Sequence, residues 1–363
     1  MKFQDEFRDR SLVQNMAANI RRMAEKLPAP VNFMEVCGTH TMSIYQYGLR
    51  SLLPENVRLV SGPGCPVCVT PIGYLDKALA CAADPRMIIA TFGDMLRVPG
   101  SHSSLMEERA QGADIRIVYS PLDAVALARN NPARRVVFLG IGFETTTPTI
   151  AASILAAERQ GVTNYLVLAS HKTMPRPMEA LTADPELALS GYLCPAHVST
   201  VIGARAYQPL AEKFQIPCVV TGFEPADVMQ GIQMLLAQSL SGSSSVEIQY
   251  SRAVSWDGNP QAQAVIEQLF EPCDTIWRGL GMLPGSGLAI RAEYARFDAE
   301  KVLTLYVRDG IENPACRCGD VLKGKLAPFD CPLFGTACTP EAPIGACMVS
   351  SEGTCAAAYK YGR

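Results

Sequence analysis

The sequence predicts an α/β protein with two similar parallel-sheet domains and a third region that is loop-rich and cysteine-rich. Short runs of Val, Ile and Leu alternate with segments of helical spacing, which is typical of parallel strands joined by right-handed crossovers. The strand runs are apolar throughout, as expected for a sheet that is covered on both faces. From Pro314 onward Pro, Gly and Cys dominate, so this last region needs something besides an apolar core to fix it.

The elements follow in order. Residues 1–27 have apolar positions at helical spacing, and Pro28 ends this predicted helix. Two sets of strands are then predicted, the first at 31–36, 57–60, 87–92 and 115–119, and the second at 136–141, 165–169, around 193 and at 217–221. The triplet Gly-Phe-Glu occurs at a strand end twice, at 142–144 and 222–224.

These sets define the predicted domains. An amino-terminal helical segment covers residues 1–30, α/β domain I covers 31–133 and α/β domain II covers 134–245. The Ser/Gly-rich segment 239–245 is the predicted linker to a C-terminal domain, 246–363.

The composition excludes several function classes. The 363-residue chain is 48% hydrophobic and 18% charged, as in globular proteins, and its net charge of −3 with mixed signs argues against nucleic-acid binding. No segment approaches the roughly 18 apolar residues that span a bilayer, and the charged amino terminus has no apolar signal core. We expect a cytoplasmic protein with no nucleic-acid or membrane partner.

Thirteen cysteines are unusual for such a protein, and in a reducing compartment clustered thiols are first metal ligands or redox groups. The turn Gly62-Pro63-Gly64-Cys65-Pro66-Val67-Cys68 follows one predicted strand and precedes a helix, where the helix dipole should lower a thiol pKa. Cys37 directly follows the preceding strand. If the two strands are neighbours, Cys37, Cys65 and Cys68 can face one crevice. The alternative for the CxxC pair is a chance occurrence or half of a zinc site.

The carboxy-terminal region carries the strongest metal signal. Six cysteines fall within 40 residues: Cys316, Cys318, Cys331, Cys338, Cys347 and Cys355. Four thiolates suit either Zn²⁺ or an iron–sulfur cluster. The gaps of 12, 6 and 16 residues in the set Cys318, Cys331, Cys338 and Cys355 are wider than the usual zinc pairs, and they favour a cluster over zinc. Spacing alone also allows Cys316 as the first ligand.

Polar side chains accompany these cysteines. His40, Glu144 and His197 come just after predicted strands, and Glu352 lies three residues before Cys355. Each could orient a thiol, move a proton or bond a ligand. Each is also consistent with a helix cap or a satisfied loop residue.

With these motifs assembled, the chain resembles the HypD family of nickel–iron hydrogenase maturation factors over its whole length. The motifs that carry the resemblance are Cys37-Gly38-Thr39-His40, Gly62 to Cys68, Gly142-Phe143-Glu144-Thr145-Thr146, Pro195-Ala196-His197-Val198-Ser199, Gly222-Phe223-Glu224-Pro225 and Ser350-Ser351-Glu352-Gly353-Thr354-Cys355. The first motif lacks the second glycine expected in other members, which leaves the cysteine unaffected.

The resemblance implies a scaffold that, with the small partner HypC, carries an Fe(CN)₂CO unit destined for the hydrogenase large subunit. HypE would deliver the cyanide. Cys37 would hold the iron together with a cysteine of HypC, and Cys65 and Cys68 would form a thiol/disulfide pair. A [4Fe-4S] cluster would be held by Cys318, Cys331, Cys338 and Cys355. The cluster-bearing third domain would include the amino-terminal segment.

Three functions therefore stay open at the level of sequence. The favoured one is a metallocofactor assembly scaffold with redox activity, not a conventional turnover enzyme. The second is a cluster-fed thiol–disulfide oxidoreductase that acts on a protein substrate. The third is a zinc-stabilised binding protein without electron transfer.

Overall fold

The computed structural model describes residues 5–305, 307 and 310–362 of the chain. The strands are β1 Val31–Glu35, β2 Val57–Ser61, β3 Met87–Thr91, β4 Ile115–Ile117, β5 Arg135–Gly142, β6 Tyr165–Lys172, β7 Gly191–Pro195, β8 Cys218–Thr221, β9 Val246–Ile248, β10 Phe270–Trp277 and β11 Gly281–Ile290.

The α-helices are α1 Arg10–Ala24, α2 Gly38–Gln46, α3 Pro66–Val69, α4 Ile72–Ala82, α5 Leu105–Ala110, α6 Pro121–Asn130, α7 Thr147–Arg159, α8 Pro175–Thr182, α9 Ala196–Ile202, α10 Gln208–Phe214, α11 Pro225–Ser241, α12 Pro260–Leu269, α13 Ala299–Val302, α14 Cys318–Leu322 and α15 Thr354–Tyr361. Short 3₁₀ helices lie at Asp5–Arg8, Leu49–Leu52, Gly93–Arg97, Ala204–Tyr207, Ala292–Phe297, Pro328–Asp330 and Ala346–Met348. Within the described part of the chain, no helix combines the length and the apolar character needed to cross a membrane.

Sheet A is wholly parallel, with the strand order β2-β1-β7-β8-β9. β1 pairs with β2 from Val31↔Val57 to Glu35↔Ser61, and with β7 on its other edge. Because the strands are parallel, the turns that follow β1, β2, β7 and β8 open at the same edge of the sheet.

Sheet B has the order β10-β11-β6-β5-β3-β4. Strands β3 to β6 are parallel, and the hairpin β10–β11 adds antiparallel to β6. One apolar cluster reaches from sheet B to sheet A and to the cysteine-rich region, and it contains Trp277, Cys68 and Cys347.

The predicted α/β class with two mostly parallel sheets is confirmed, but the consecutive grouping of strands is not the pairing observed. Each sheet takes strands from both sides of residue 133, since β1 and β2 pair with β7 to β9, while β3 and β4 pair with β5 and β6. An apolar run marks a buried strand without identifying its partner, and consecutive strands are only usually neighbours. The domain boundaries at 30, 133 and 245 stay a prediction.

The segment 239–245 is not an open linker. Helix α11 continues to Ser241, where the Ser239 hydroxyl donates to the Leu235 carbonyl at 2.9 Å, and Gly242 ends the helix with φ +66°. The next residues lead into β9, which joins sheet A. Serine side chains that bond the preceding turn are tolerated in a helix, so a Ser/Gly-rich composition does not by itself exclude regular structure.

The amino-terminal helix packs on sheet A, whereas the sequence led us to expect packing with the C-terminal domain. Its buried residues Val13, Ala17 and Ile20 share an apolar cluster with Met229 and Ile232 of α11. Met1 to Gln4, which belong to the predicted helix, lie outside the described residues.

Candidate thiol and metal site

Two cysteine turns meet at the edge of sheet A. Cys37 is the N-cap of α2, and Cys65 is the N-cap of α3. Their strands, β1 and β2, are neighbours, as predicted, and the Gly38 N–H donates to the Gly64 carbonyl at 3.0 Å. A Cβ at position 64 would overlap the backbone N and Cα of Cys37, so the turns can touch only because residue 64 is glycine.

The Cys37 thiol is enclosed, with the residue only 7% exposed. Burial and the charge of Glu352 raise its pKa to about 12, although the backbone N–H groups of His40 and Thr39 favour the thiolate. Without a bound cation, Cys37 is therefore a protonated thiol at neutral pH.

Glu352 links the carboxy-terminal region to the Cys37 turn. Its Oε1 accepts a hydrogen bond of 2.7 Å from the Thr39 hydroxyl. A Cβ on Gly38 would lie 2.5 Å from the Glu352 Cβ, so the two segments are packed backbone against side chain.

Cys65 and Cys68 lie together in the buried turn that begins α3. The Cys68 N–H donates to the Cys65 Sγ at 3.4 Å. Burial raises the pKa of Cys68 well above its ordinary value, so the expectation of a lowered thiol pKa is wrong for this residue. Helix α3 has only four residues, and its end charge does not offset the loss of water around the sulfur.

All six cysteines of the carboxy-terminal region line one pocket, together with apolar side chains such as Leu333, Phe334 and Met348. All are free thiols. Two sulfurs already accept backbone hydrogen bonds: the Cys318 Sγ from the Cys347 N–H at 3.3 Å, and the Cys338 Sγ from the Ile344 N–H at 3.4 Å. Among the described residues, no three His, Cys, Asp or Glu side chains form a group that could hold a metal ion.

The donor types in this pocket are those that iron–sulfur clusters use, although no three of the described donors are grouped as a single metal ion would require. The pocket offers soft sulfur ligands in apolar surroundings, with N–H groups directed at some of the sulfurs, and these are the features that bind and tune such clusters.

Cys347 was left without a role by the sequence, yet its thiol connects the two cysteine sites. Cys318 and Cys355 of the pocket and Cys68 of the CxxC turn all act on the pKa of Cys347, so its thiol lies near both sites. The Cys68 thiol also faces the Ala346 carbonyl at 3.9 Å. No spacing rule points to Cys347, because its neighbours come from distant parts of the chain.

His40 binds the neighbouring strand end. Its Nε2 lies 2.9 Å from the Thr221 carbonyl and 3.0 Å from the Gly222 carbonyl, so this nitrogen carries the proton. Burial lowers the pKa of His40 to about 4. In the described part of the chain, its Nδ1 has no hydrogen-bond partner. The ring therefore ties α2 to the end of β8 as a neutral group.

His197 begins α9 directly after β7, and its ring lies 4.1 Å from that of Phe223. Burial lowers its pKa, and the charge of Glu352 opposes that change. His197 and Cys37 thus both respond to Glu352, which places them around one carboxylate.

Glu144 lies at the end of β5 in sheet B. It is buried, and its Oε1 accepts a hydrogen bond of 3.0 Å from the Met174 N–H, while its Oε2 has no partner among the described residues. Burial raises its pKa to about 7. The contacts found for Glu144 are with sheet B and do not join it to Cys37.

Fold and site together define a class: α/β proteins that gather free thiols at the carboxyl ends of parallel strands and cover them with a cysteine-rich region. Within this class, residues 11–362 match the family model HypD, described as "Hydrogenase formation hypA family". The chain belongs to this family of hydrogenase maturation factors.

Curated relatives match this chain over nearly their full length and support the same family. The chain is 50% identical to the hydrogenase maturation factor HypD of Azotobacter vinelandii, over 100% of this chain and 97% of that protein. It is 50% identical to HypD of Cupriavidus necator, over 100% and 98%, and 46% identical to HypD of Escherichia coli K12, over 99% and 98%.

Proposed function

We propose that this chain is a scaffold on which, together with HypC, an iron atom receives cyanide and CO ligands before transfer to the hydrogenase large subunit. HypE is the proposed source of cyanide. The observation that carries the proposal is that the cysteine-rich region contacts both cysteine turns. Glu352 accepts a hydrogen bond from Thr39 in the Cys37 turn, and Cys347 lies near Cys68. Membership of the family supports the maturation role.

Cys37 is the proposed anchor of the iron. Its thiol is protonated in the empty site, so iron binding displaces one proton and leaves a thiolate–iron bond. The N–H groups of His40 and Thr39 face this sulfur and stabilise the thiolate form. Glu352, whose charge acts on Cys37 and on His197, and His197 itself are the proposed acceptors of the displaced proton.

The cysteine pocket is the proposed site of a [4Fe-4S] cluster, which would supply electrons one at a time. Cys331, Cys338 and Cys355 are three of its proposed ligands. Cys318 is the predicted fourth ligand. Cys316 is the alternative, because it lines the same pocket. Iron and sulfide content of Cys316→Ala and Cys318→Ala decides between them.

Cys65 and Cys68 are the proposed thiol/disulfide pair. Reduction of their disulfide breaks one S–S bond and consumes two electrons and two protons. The electrons come from an external low-potential one-electron donor by way of the pocket. Cys347, which lines the pocket and follows the Ala346 carbonyl that Cys68 faces, is the proposed connection.

The test is infrared spectroscopy of the anaerobically purified complex with HypC. We expect bands in the cyanide and CO stretching region that vanish in Cys37→Ala and persist in the control Cys273→Ala, whose half-exposed cysteine lies on β10. Unchanged bands in Cys37→Ala would refute the assignment of the iron anchor.

The contact between Cys347 and Cys68 equally suits a cluster-fed thiol–disulfide oxidoreductase with a protein substrate. That activity does not need Cys37. Full disulfide-reducing activity in Cys37→Ala, together with no iron unit in the unmodified protein, would favour this second function.

A further inference from the structure

Lys172, Gly287 and Cys273 lie side by side on three neighbouring strands of sheet B. Gly287 of β11 pairs with Lys172 of β6 on one side and with Cys273 of β10 on the other, and both pairings are antiparallel. Residues directly opposite each other in antiparallel strands direct their side chains to the same face of the sheet. Because residue 287 is glycine, no side chain of β11 stands between the lysine and the cysteine.

The space above Gly287 is filled from both sides. A Cβ on Gly287 would lie 3.1 Å from the Cys273 Sγ and 2.7 Å from the Thr275 Cγ2. The Lys172 side chain extends across β11, and its Nζ donates to the Thr275 hydroxyl at 2.8 Å. The amine therefore already reaches the strand that carries Cys273, on the face where the thiol lies.

Lys172 is a buried amine held by hydroxyl groups. It is 1% exposed, and its Nζ donates to the hydroxyls of Thr275 and, at 3.2 Å, of Ser170. Burial disfavours the charged form and lowers the pKa of Lys172 to about 8. More of this amine is uncharged near neutral pH than for an exposed lysine, and an uncharged amine is both a base and a nucleophile.

Cys273 is the member of the pair that a dissolved molecule can reach. It is partly exposed and, with Thr275 and Ser170, lines a surface cavity of about 900 Å³. Burial raises the pKa of Cys273, while the charge of Lys172 favours its thiolate. A small oxidant that enters the cavity therefore meets a thiol whose proton the neighbouring amine can accept.

We propose that Cys273 is a peroxide-sensitive thiol that, once oxidised, forms a covalent bond with the amine of Lys172. Hydrogen peroxide first converts the thiol to a sulfenic acid: an S–O bond forms, the O–O bond breaks and one water leaves. The amine then attacks the sulfur, an S–N bond replaces the S–O bond and a second water leaves. The sulfur loses two electrons and the peroxide gains them. A thiol reductant returns both electrons and restores the free amine and thiol.

The bond would join β6 to β10 and fix the hairpin β10–β11 on sheet B. The turn of this hairpin contacts the CxxC helix, since the Arg278 N–H donates to the carbonyl of Val69, the last residue of α3, at 2.8 Å. Oxidation at Cys273 therefore restrains a segment that packs against the CxxC turn. The inference does not depend on the proposed function, because neither Lys172 nor Cys273 is among the proposed iron or cluster ligands.

The test is peptide mapping by mass spectrometry of the full chain, kept anaerobic or treated with hydrogen peroxide, with free thiols alkylated before digestion. We expect the treated chain to contain a linked pair of peptides that carry Lys172 and Cys273, lighter than their sum by two hydrogens. Trypsin, which needs a free lysine side chain, should not cut after Lys172 in this pair. Dithiothreitol should abolish the link and restore the cut.

Lys172→Arg keeps the positive charge and removes the nucleophilic amine. We expect this variant to lose the linked pair and to retain the sulfenic acid, so that labelling of Cys273 by dimedone rises severalfold over the unmodified chain. Lys77→Arg is the matched control. Lys77 lines the same cavity but pairs with Glu300 at 2.6 Å, and its replacement should leave the linked pair unchanged.

The inference is overturned if peroxide leaves Cys273 open to alkylation, or oxidises it while Lys172 stays free. Equal dimedone labelling of Cys273 in Lys172→Arg and in the unmodified chain would also overturn it. If Lys172→Arg does not fold, the peptide map of the unmodified chain decides alone, because it needs no variant.

Discussion

The triplet Gly-Phe-Glu ends a strand in each sheet, and the two copies have different surroundings. In sheet B it follows β5, where Glu144 is buried, with a pKa of about 7, and Phe143 stacks on Trp277 of the hairpin. In sheet A it follows β8, where Glu224 is the N-cap of α11 and accepts a hydrogen bond of 2.9 Å from Arg8.

The difference shows that the local motif determines where the chain turns. The segment that packs over the turn determines the pKa and the partners of the carboxyl group. The segment that packs over the turn after β5 is the apolar hairpin β10–β11, and among the described residues one oxygen of Glu144 has no hydrogen-bond partner. At β8 the cover is the amino-terminal segment, which supplies a cation. An identical triplet therefore gives a buried acid with a raised pKa in one sheet and an ion-paired carboxylate in the other.

The largest expected difference is in the free energy of unfolding lost when the glycine of each triplet, Gly142 or Gly222, is replaced by alanine. Gly142 has φ +149°, and a Cβ there would overlap the Thr146 hydroxyl. We expect Gly142→Ala to lower the free energy of unfolding by about 3 kcal/mol, measured by urea denaturation. Gly222 does not have a left-handed φ, so a side chain there meets steric overlap with Asp227 and Tyr250 but no backbone strain, and Gly222→Ala should cost about half as much. Equal losses would show that the two turns are equivalent.

The second expected difference concerns Glu144 and pH. The folded pKa of about 7 lies above the ordinary 4.5, so between these values the unfolded chain releases a proton that the folded chain retains. The free energy of unfolding therefore falls as pH rises through this window. Glu144→Gln, which keeps the acceptor for the Met174 N–H, removes this loss. It should be more stable than the unmodified chain by at most roughly 3 kcal/mol at pH 8 and about equal to it at pH 4. Equal gains at both pH values would contradict a buried, raised pKa.

The smallest expected effect is at Glu224. Its partner Arg8 is 40% exposed, so Glu224→Gln should lower the free energy of unfolding by only about 0.5–1 kcal/mol. The loss should shrink in 1 M salt, and a double-mutant cycle with Arg8→Gln should show that the two losses are not additive. A salt-independent loss would assign the effect to helix capping alone.

The sequence predicted those features that local pattern encodes. The apolar runs predicted where the strands end. They therefore also predicted that Cys37, Cys65, Glu144 and His197 follow strand ends. The proximity of the first two cysteines also followed, because β1 and β2 are consecutive and paired. Sheet membership did not follow, since an apolar strand accepts many partners.

The features that were missed depend on tertiary contacts. Cys347 lies near Cys68, and Arg278 donates its backbone N–H to the Val69 carbonyl. Each pair is separated by more than 200 residues along the chain. The pKa of Cys68 was predicted in the wrong direction because burial, which no local motif reports, outweighs a short helix. The cluster ligands and the iron anchor stay predictions.

The interleaved sheets have a consequence for biosynthesis. The Asn32 N–H at β1 bonds the Ser190 hydroxyl at the start of β7, 158 positions later, and sheet B closes only with β11. A nascent chain emerging vectorially from the ribosome therefore holds β1 for many seconds without β7, the strand that pairs with its other edge. Sheet A cannot be completed before β7 to β9 are synthesised, and such non-local pairing is slow. We expect this polypeptide to depend on chaperones that shield its apolar strands until synthesis is nearly complete.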